Sequence, residues 1–174
     1  MFNIESKIIE LLSSYPEREF YGQEIAQKAK CSKASVSLIM KKLTQKKLVS
    51  KIICGHMNFY QIELKNPEIK KFKINTILEK INPLLPELKE FSKKITLFGS
   101  GSRGDQTWNS DVDLFILSNE KEELKSVLSK LKSDLPLKAI IKTQSEWSEM
   151  EISEPELYQE IKNGITLYEY VPRI

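Results

Sequence analysis

The chain is 174 residues long, 40% hydrophobic and 29% charged, with six glycines and seven prolines. This is the balance of a folded globular protein, and the length allows one medium domain or two small ones. No apolar run approaches the ~20 residues of a membrane span, Met1 to Leu12 carries Glu5 and Glu10 and has no small-residue cleavage site, and Cys31 and Cys54 are too few for a disulfide framework or a zinc site.

A cytoplasmic protein whose two cysteines are small buried hydrophobes is therefore expected. The net charge of +3 hides an asymmetry. Residues 1–66 hold 11 Lys+Arg against 6 Asp+Glu, whereas residues 67–174 hold 16 against 18. Eight lysines and no acid lie from Lys28 to Lys51. Such a block suits a polyanion partner. A solvated lysine-rich face has the same composition.

The first third predicts three helices and a hairpin. Ile4, Ile8, Leu11 and Leu12 recur at helical spacing, and Tyr15-Pro16 closes the segment. A second short helix is expected from Tyr21 to Ala29, with Ile25, Ala26 and Ala29 on one face. Lys30-Cys31-Ser32 makes a short turn, and Ser32 is placed to cap the next helix. This third helix is expected over about Lys33 to Gln45, with Val36, Ile39, Met40 and Leu43 as its buried stripe. Lys33, Ser35, Ser37, Lys41 and Lys42 are left facing outward or sideways. They are the side chains a major-groove helix uses: small hydroxyls that approach base edges and cations that reach phosphates.

Leu48–Cys54 and Asn58–Leu64 then read as two strands around a hairpin tip at Gly55-His56-Met57. His56, the single histidine, is read as a turn residue without catalytic chemistry. Across about residues 3–64 this order resembles the small winged helix-turn-helix regulators of bacteria and archaea. The resemblance implies DNA binding. Packing against the rest of the chain, or dimerisation, is the alternative use of such a domain.

Asn66-Pro67 marks a break. Ile69, Phe72, Ile74, Ile77, Leu78 and Ile81 predict a helical stretch ending near Asn82-Pro83, and Leu88 and Phe91 continue it toward the next strand. That strand is Ile95-Thr96-Leu97-Phe98. It runs into Gly99-Ser100-Gly101-Ser102-Arg103-Gly104, and after ten intervening residues Ser100 is answered by Asp111-Val112-Asp113 at the head of a second apolar strand. Gly-Ser, a ten-residue gap and Asp-x-Asp resemble the pattern of the polymerase-beta-like nucleotidyltransferase superfamily, and most of all its minimal members. That group includes antitoxins that modify partner toxins and proteins fused to winged helices.

The resemblance covers about residues 84–150 and implies a metal and a nucleotide. Side chains alternate along a strand, so Asp111 and Asp113 share a face and repel each other unless a cation lies between them. Oxygen ligands of this kind suit Mg²⁺, which completes its shell with water and phosphate. Gly99 allows the backbone close to phosphate, Ser100 donates to it, and Arg103 offers a planar cation. Trp108 lies in the intervening loop as either a base-stacking ring or an aromatic plug.

One departure from the pattern bears on activity. Members that catalyse usually carry a third carboxylate on a later strand. Here Glu120–Lys132 is expected to be a helix and Leu137–Thr143 that strand, with Lys138 at the expected position and no acid in the segment. Either an acid such as Asp134, Glu146 or Glu149 stands in, or the site binds a metal–nucleotide complex without efficient transfer. Pro155–Asn163 reads as a further helix stopped by Gly164, and Ile165–Tyr168 as a last short strand.

The architecture expected is α+β: a winged helix-turn-helix DNA-binding domain at 1–66, a helical connector at 67–92, and a small α/β nucleotidyltransferase-like domain with a mixed sheet at 93–174. Asp111 and Asp113 are the candidate catalytic and metal-binding residues. Gly99, Ser100 and Arg103 are the candidate nucleotide site. The implied partners are a nucleoside triphosphate with Mg²⁺, DNA, and a toxin-like protein as a possible acceptor, with no membrane; a homodimer is left open. The function expected is nucleotidyl transfer to a protein or other hydroxyl. Its alternative is a DNA-binding regulator with a degenerate, nucleotide-sensing transferase domain.

Overall fold

In a computed structural model of the chain, which describes residues 3–131 and 136–171, two units are distinguished. The first comprises residues up to Lys73 together with Asp105–Asn109, and the second comprises Ile74–Gly104 and the residues from Ser110 onward. The helical stretch expected as a separate connector at 67–92 is therefore divided between them at residue 73. Among the described residues no helix is long and apolar enough to cross a membrane.

The first unit runs α1 (Ile4–Ser14), β1 (Phe20–Tyr21), α2 (Gly22–Ala29), α3 (Lys33–Gln45), β2 (Val49–Cys54) and β3 (Met57–Ile62). Asn3 caps α1 by accepting from the Ser6 N–H, and Ser32 caps α3 by accepting from the Ser35 N–H, so each helix begins where a short polar side chain satisfies a backbone donor. The hairpin β2–β3 turns at Gly55-His56, with Cys54 paired to Met57. β1 adds a third strand through Phe20–Tyr60 and Tyr21–Phe59. The periodicity of 21–29 reads wholly as helix, so β1 is not expected from the sequence: two residues are too few to alternate visibly.

Ile8, Leu12, Phe20, Ile25, Met40 and Leu43 are fully buried in the core of this unit. At about 1.5–3 kcal/mol for each large apolar side chain removed from water, this core is what holds three short helices to a small sheet. Three helices and a β-hairpin in this order form a winged helix fold. Cys31 is half-buried and Cys54 is exposed near the hairpin tip, so the second thiol is not the buried hydrophobe expected. The wing extends beyond the core, and no apolar layer among the described residues of this unit covers its end.

The helix α4 (Pro67–Ile81) spans the boundary at residue 73; a 3-10 turn (Asn82–Leu84) and α5 (Leu85–Lys89) come after it in the second unit. Then come β4 (Lys94–Phe98), α6 (Gly99–Arg103), β5 (Val112–Leu117), α7 (Lys121–Lys130), β6 (Leu137–Lys142), α8 (Gln144–Ser153), α9 (Pro155–Lys162) and β7 (Ile165–Glu169). The sheet order is β6-β5-β4-β7. β5 and β6 are parallel, joined across α7, and the other pairings are antiparallel. The sheet is thus mixed, and β4 and β5 are its central strands. Their side chains are buried on both faces: Ile95, Leu97, Leu114 and Ile116 lie in one apolar cluster, Phe98, Phe115 and Leu117 in a second with Met150 and Ile161. This explains why both strands read as continuous apolar runs rather than alternating ones.

Gly164 ends α9 by a different route from the one expected. Its φ is not in the left-handed region. It is small because the chain passes against β4, where an added Cβ would lie 2.5 Å from the Leu97 carbonyl oxygen.

Candidate functional site

The chemistry of the second unit gathers where β4 ends and β5 begins. Phe98, the last residue of β4, is paired with Asp113, the second residue of β5. Gly99 comes next, with φ of +67°, and turns the chain into the short α6. The left-handed backbone favours glycine, and space demands it as well: a Cβ at Gly99 would overlap the Asp113 carboxylate at Oδ2. The glycine turn and the second carboxylate therefore occupy one spot. Gly99, Gly101 and Gly104 are buried, Ser100 and Ser102 are half-buried, and Ser102 Oγ donates back to the Gly99 carbonyl at 2.8 Å.

Asp111 is exposed and stands one residue before β5; Asp113 is half-buried within it. Two positions apart on an extended chain, they face the same side. Burial pushes the Asp113 carboxyl above the usual carboxylate range, and the charges of Asp111 and Glu160 push it further. Lys138 and Arg103 oppose this without cancelling it. A desolvated carboxylate beside another acid is a place that gains from a cation.

Among the described residues no three His, Cys, Asp or Glu side chains gather closely enough to hold a metal by themselves. The donor set fits Mg²⁺ all the same, because Mg²⁺ in nucleotide sites takes one or two carboxylates and fills its shell with phosphate oxygens and water.

The expected position of the third acid can be read directly. β6 lies parallel to β5, and Asp113 is paired with Lys138. The register thus brings Lys138, an exposed lysine, beside the carboxylate pair, and its charge acts on Asp113. The stand-in acids fare differently. Asp134 lies outside the described residues. Glu146 is occupied: its carboxylate accepts from the Thr143 N–H at 2.7 Å in the capping box of α8 and from Lys121 Nζ at 2.6 Å. The hydrogen bond from Lys121, then that from Thr143, hold its pKa at about 2. Glu149 is exposed on α8. The acid that does reach this neighbourhood is Glu160 on α9, which pairs with Arg103 at 2.6 Å. Sequence reasoning missed it because α9 lies more than a dozen residues beyond Lys138 and shares no motif with the site.

In the first unit, α3 presents Lys33, Ser37 and Lys41 to solvent together with Ala34, Leu38 and Gln45. Ser35 is turned to the cap, its Oγ 2.8 Å from Ser32 Oγ. Lys42 is exposed but paired with Glu5 at 2.6 Å. Leu38 is 72% exposed in the middle of the outward face, a position the lysine and serine pattern obscures. A groove of about 430 Å³ lies between α3 and the wing, and Ser37, Lys41, Thr44, Gln45, Lys51 and Asn58 are among its lining residues. His56 stands at the turn of the wing and is exposed. Residues 105–109 pack with this unit: Trp108 stacks on Tyr15 with ring centroids 6.0 Å apart, and its backbone N–H donates to the Ser14 carbonyl at 3.1 Å. One face of the indole is therefore already covered.

The glycine turn at Gly99 thus stands against β5, which Asp111 precedes and which holds Asp113, in a mixed sheet. The family model for the nucleotidyltransferase domain matches residues 74–168, more than half of the chain, and the chain belongs to that family. A search of curated proteins found no match. Among solved structures, the chain is similar to MepR, a transcription regulator of the Staphylococcus aureus multidrug efflux pump MepA, at 14% identity and a TM-score of 0.43, over 75% of this chain and 76% of that one. It is similar to ZitR of Lactococcus lactis in complex with DNA at 19% identity and a TM-score of 0.39, over 52% and 62%. It is similar to reduced HlyU from Vibrio cholerae at 18% identity and a TM-score of 0.35, over 48% and 77%. The winged helix assignment rests on the element order and strand pairing of the first unit.

Proposed function

We propose that the chain transfers a nucleotidyl group from a nucleoside triphosphate, with Mg²⁺, to a hydroxyl on a partner protein or other acceptor, the α–β phosphate bond breaking and pyrophosphate leaving. The same cytoplasmic chain binds DNA through α3 and the wing. The observation that carries the reading is the close approach of Gly99 to Asp113, which brings the glycine turn and a carboxylate to one place. Asp111 and Asp113 would hold the metal. Gly99 would let the backbone come close to phosphate, Ser100 would donate to it, and Arg103 would pair with its oxygens. When bound, the ion supplies charge neutralisation at the phosphates, which makes the α-phosphorus open to attack. For DNA, Lys33, Ser37 and Lys41 form the outward face of α3, with Lys42 and Ser35 at its flanks.

A second reading is favoured by one observation, the pairing of Asp113 with Lys138 where a third acid is expected. An ammonium there supports bound phosphate and does not accept a proton from an attacking hydroxyl. In this reading the chain is a DNA-binding regulator that senses nucleotide.

The experiment that decides between them is incubation of the full chain with Mg²⁺, labelled nucleoside triphosphates and a broad panel of acceptors, beside Asp111→Asn/Asp113→Asn. Label transfer that disappears in the double variant supports the enzyme. Nucleotide binding with no transfer to any acceptor sinks it and leaves the sensor.

A further inference from the structure

Arg103 ends the single helical turn that starts at Gly99, so its side chain leaves the backbone close to the spot shared by Gly99 and Asp113. Its guanidinium is engaged: Nη1 donates to Glu160 Oε1 at 2.6 Å. Glu160 comes from a well-anchored place. Ile161, the next residue, is buried with Phe98 and Phe115, and Gly164 seats the end of α9 on β4. The carboxylate is thus carried on a fixed element, while the long, exposed Arg103 side chain can exchange one partner for another within its reach.

The pair is a poor stabiliser of the fold. The two side chains are 52% and 39% exposed, and exposed ion pairs contribute little. A triphosphate is a stronger partner for a guanidinium, because it offers several charges and a geometry that matches the planar fork. Glu160 is also a negative charge that a phosphate must approach.

We infer that Glu160 is an intramolecular competitor of the nucleotide: it holds Arg103 until a polyphosphate takes the guanidinium over, so binding through Arg103 is weakened by the cost of parting the pair. The inference rests on the proposed role of Arg103 in binding the triphosphate. A ligand that leaves the Arg103–Glu160 pair intact does not pay that cost. Replacing Glu160 with a neutral residue removes the competition.

The test measures the affinity of the full chain for Mg-ATP and for AMP by titration calorimetry. The proteins are the wild type, Glu160→Gln, Arg103→Ala, the Glu160→Gln/Arg103→Ala pair, and Asp111→Asn/Asp113→Asn. Glu160→Gln is expected to tighten ATP by about two- to fivefold, the scale of an exposed ion pair, and AMP by no larger a factor. In the Arg103→Ala background the same substitution is expected to give a clearly smaller gain for both ligands. An unchanged or weaker affinity in Glu160→Gln overturns the inference. An equal gain in the Arg103→Ala background also overturns it, because the effect is then bulk charge rather than competition for Arg103. Loss of ATP binding in Asp111→Asn/Asp113→Asn with no response to Glu160→Gln defeats the inference and leaves the nucleotide site standing. ATP binding that ignores both carboxylates defeats the nucleotide-site reading, and the inference with it.

Discussion

Asp113 and Lys138 are direct register partners on the parallel strands β5 and β6, so a lysine stands beside the carboxylate pair of this nucleotidyltransferase domain. Lys138→Glu would place an acid there. Metal affinity depends on the number and charge of the oxygen ligands, so this variant is expected to bind Mn²⁺, as a spectroscopic substitute for Mg²⁺, roughly tenfold more tightly. Electron paramagnetic resonance titration of free Mn²⁺ measures it. No gain in affinity would mean that the Lys138 side chain lies away from the pair despite the backbone register.

Gly99 carries both a steric and a conformational demand. An alanine at a φ of +67° costs about 1–2 kcal/mol for the left-handed backbone, and its Cβ would displace the Asp113 carboxylate. Gly99→Ala is therefore expected to lower the unfolding temperature and to weaken nucleotide binding together. Thermal unfolding with and without Mg-ATP reads both. A variant that unfolds early but retains its full shift with Mg-ATP would separate Gly99 from the site.

On α3, Lys41 and Lys42 are adjacent in sequence and different in structure. Lys41 lines the groove beside the wing, while Lys42 is paired with Glu5. In fluorescence anisotropy against genomic DNA fragments, Lys41→Ala is expected to weaken binding and to reduce the dependence of log K on log salt by about one. Lys42→Ala is expected to do less on both counts. Equal effects would mean that Glu5 releases Lys42 to the DNA. Binding that does not respond to salt would remove the DNA reading.

The capping box of α8 yields a pH dependence. Glu146 has its pKa lowered from 4.5 to about 2, chiefly by the hydrogen bond from Lys121. A carboxyl whose pKa falls on folding contributes stability that is complete above its unfolded value and is lost as pH drops through the folded one. Glu146→Gln is thus expected to be less stable than wild type at neutral pH, with the gap closing as pH falls from about 4.5 toward about 2. Urea unfolding at stepped pH values checks this. A gap that stays constant would assign the loss to the capping geometry alone.

Asp113 behaves in the opposite sense. Burial first, and then Asp111 and Glu160, raise its pKa, so its charged form is disfavoured in the fold. Without metal, this contribution favours the folded state at low pH and is lost as pH rises through the folded value. Asp113→Asn is expected to raise the unfolding temperature of the metal-free protein at neutral pH while abolishing stabilisation by Mg-ATP. A lower unfolding temperature would show that Asp113 is held by interactions worth more than its desolvation.

Much of the fold is legible along the chain because its signals are local. Ser32 before a helical stripe gives α3 from Lys33 to Gln45, and the apolar runs on either side of Gly99–Asp113 give β4 and β5. The motif itself is also local, since a glycine turn and an alternating strand need only adjacent residues. β1 is not legible in this way because its two residues become a strand only by pairing with β3. The role of Gly164 is hidden for the same reason: the contact that demands it is with β4, nearly seventy residues earlier.

The two carboxylates, the glycine turn and the absence of an acid from Leu137 to Lys142 are legible in the order of residues alone, because these are statements about which residues stand at which spacing. What stands around them comes from folding. Strand register set Lys138 beside Asp113, and the packing of Ile161 against Phe98 and Phe115 carried Glu160 to Arg103. Charge interactions fall off with distance in space and take no account of separation along the chain, so this part of the site appears only once the sheet is paired and α9 is packed against it.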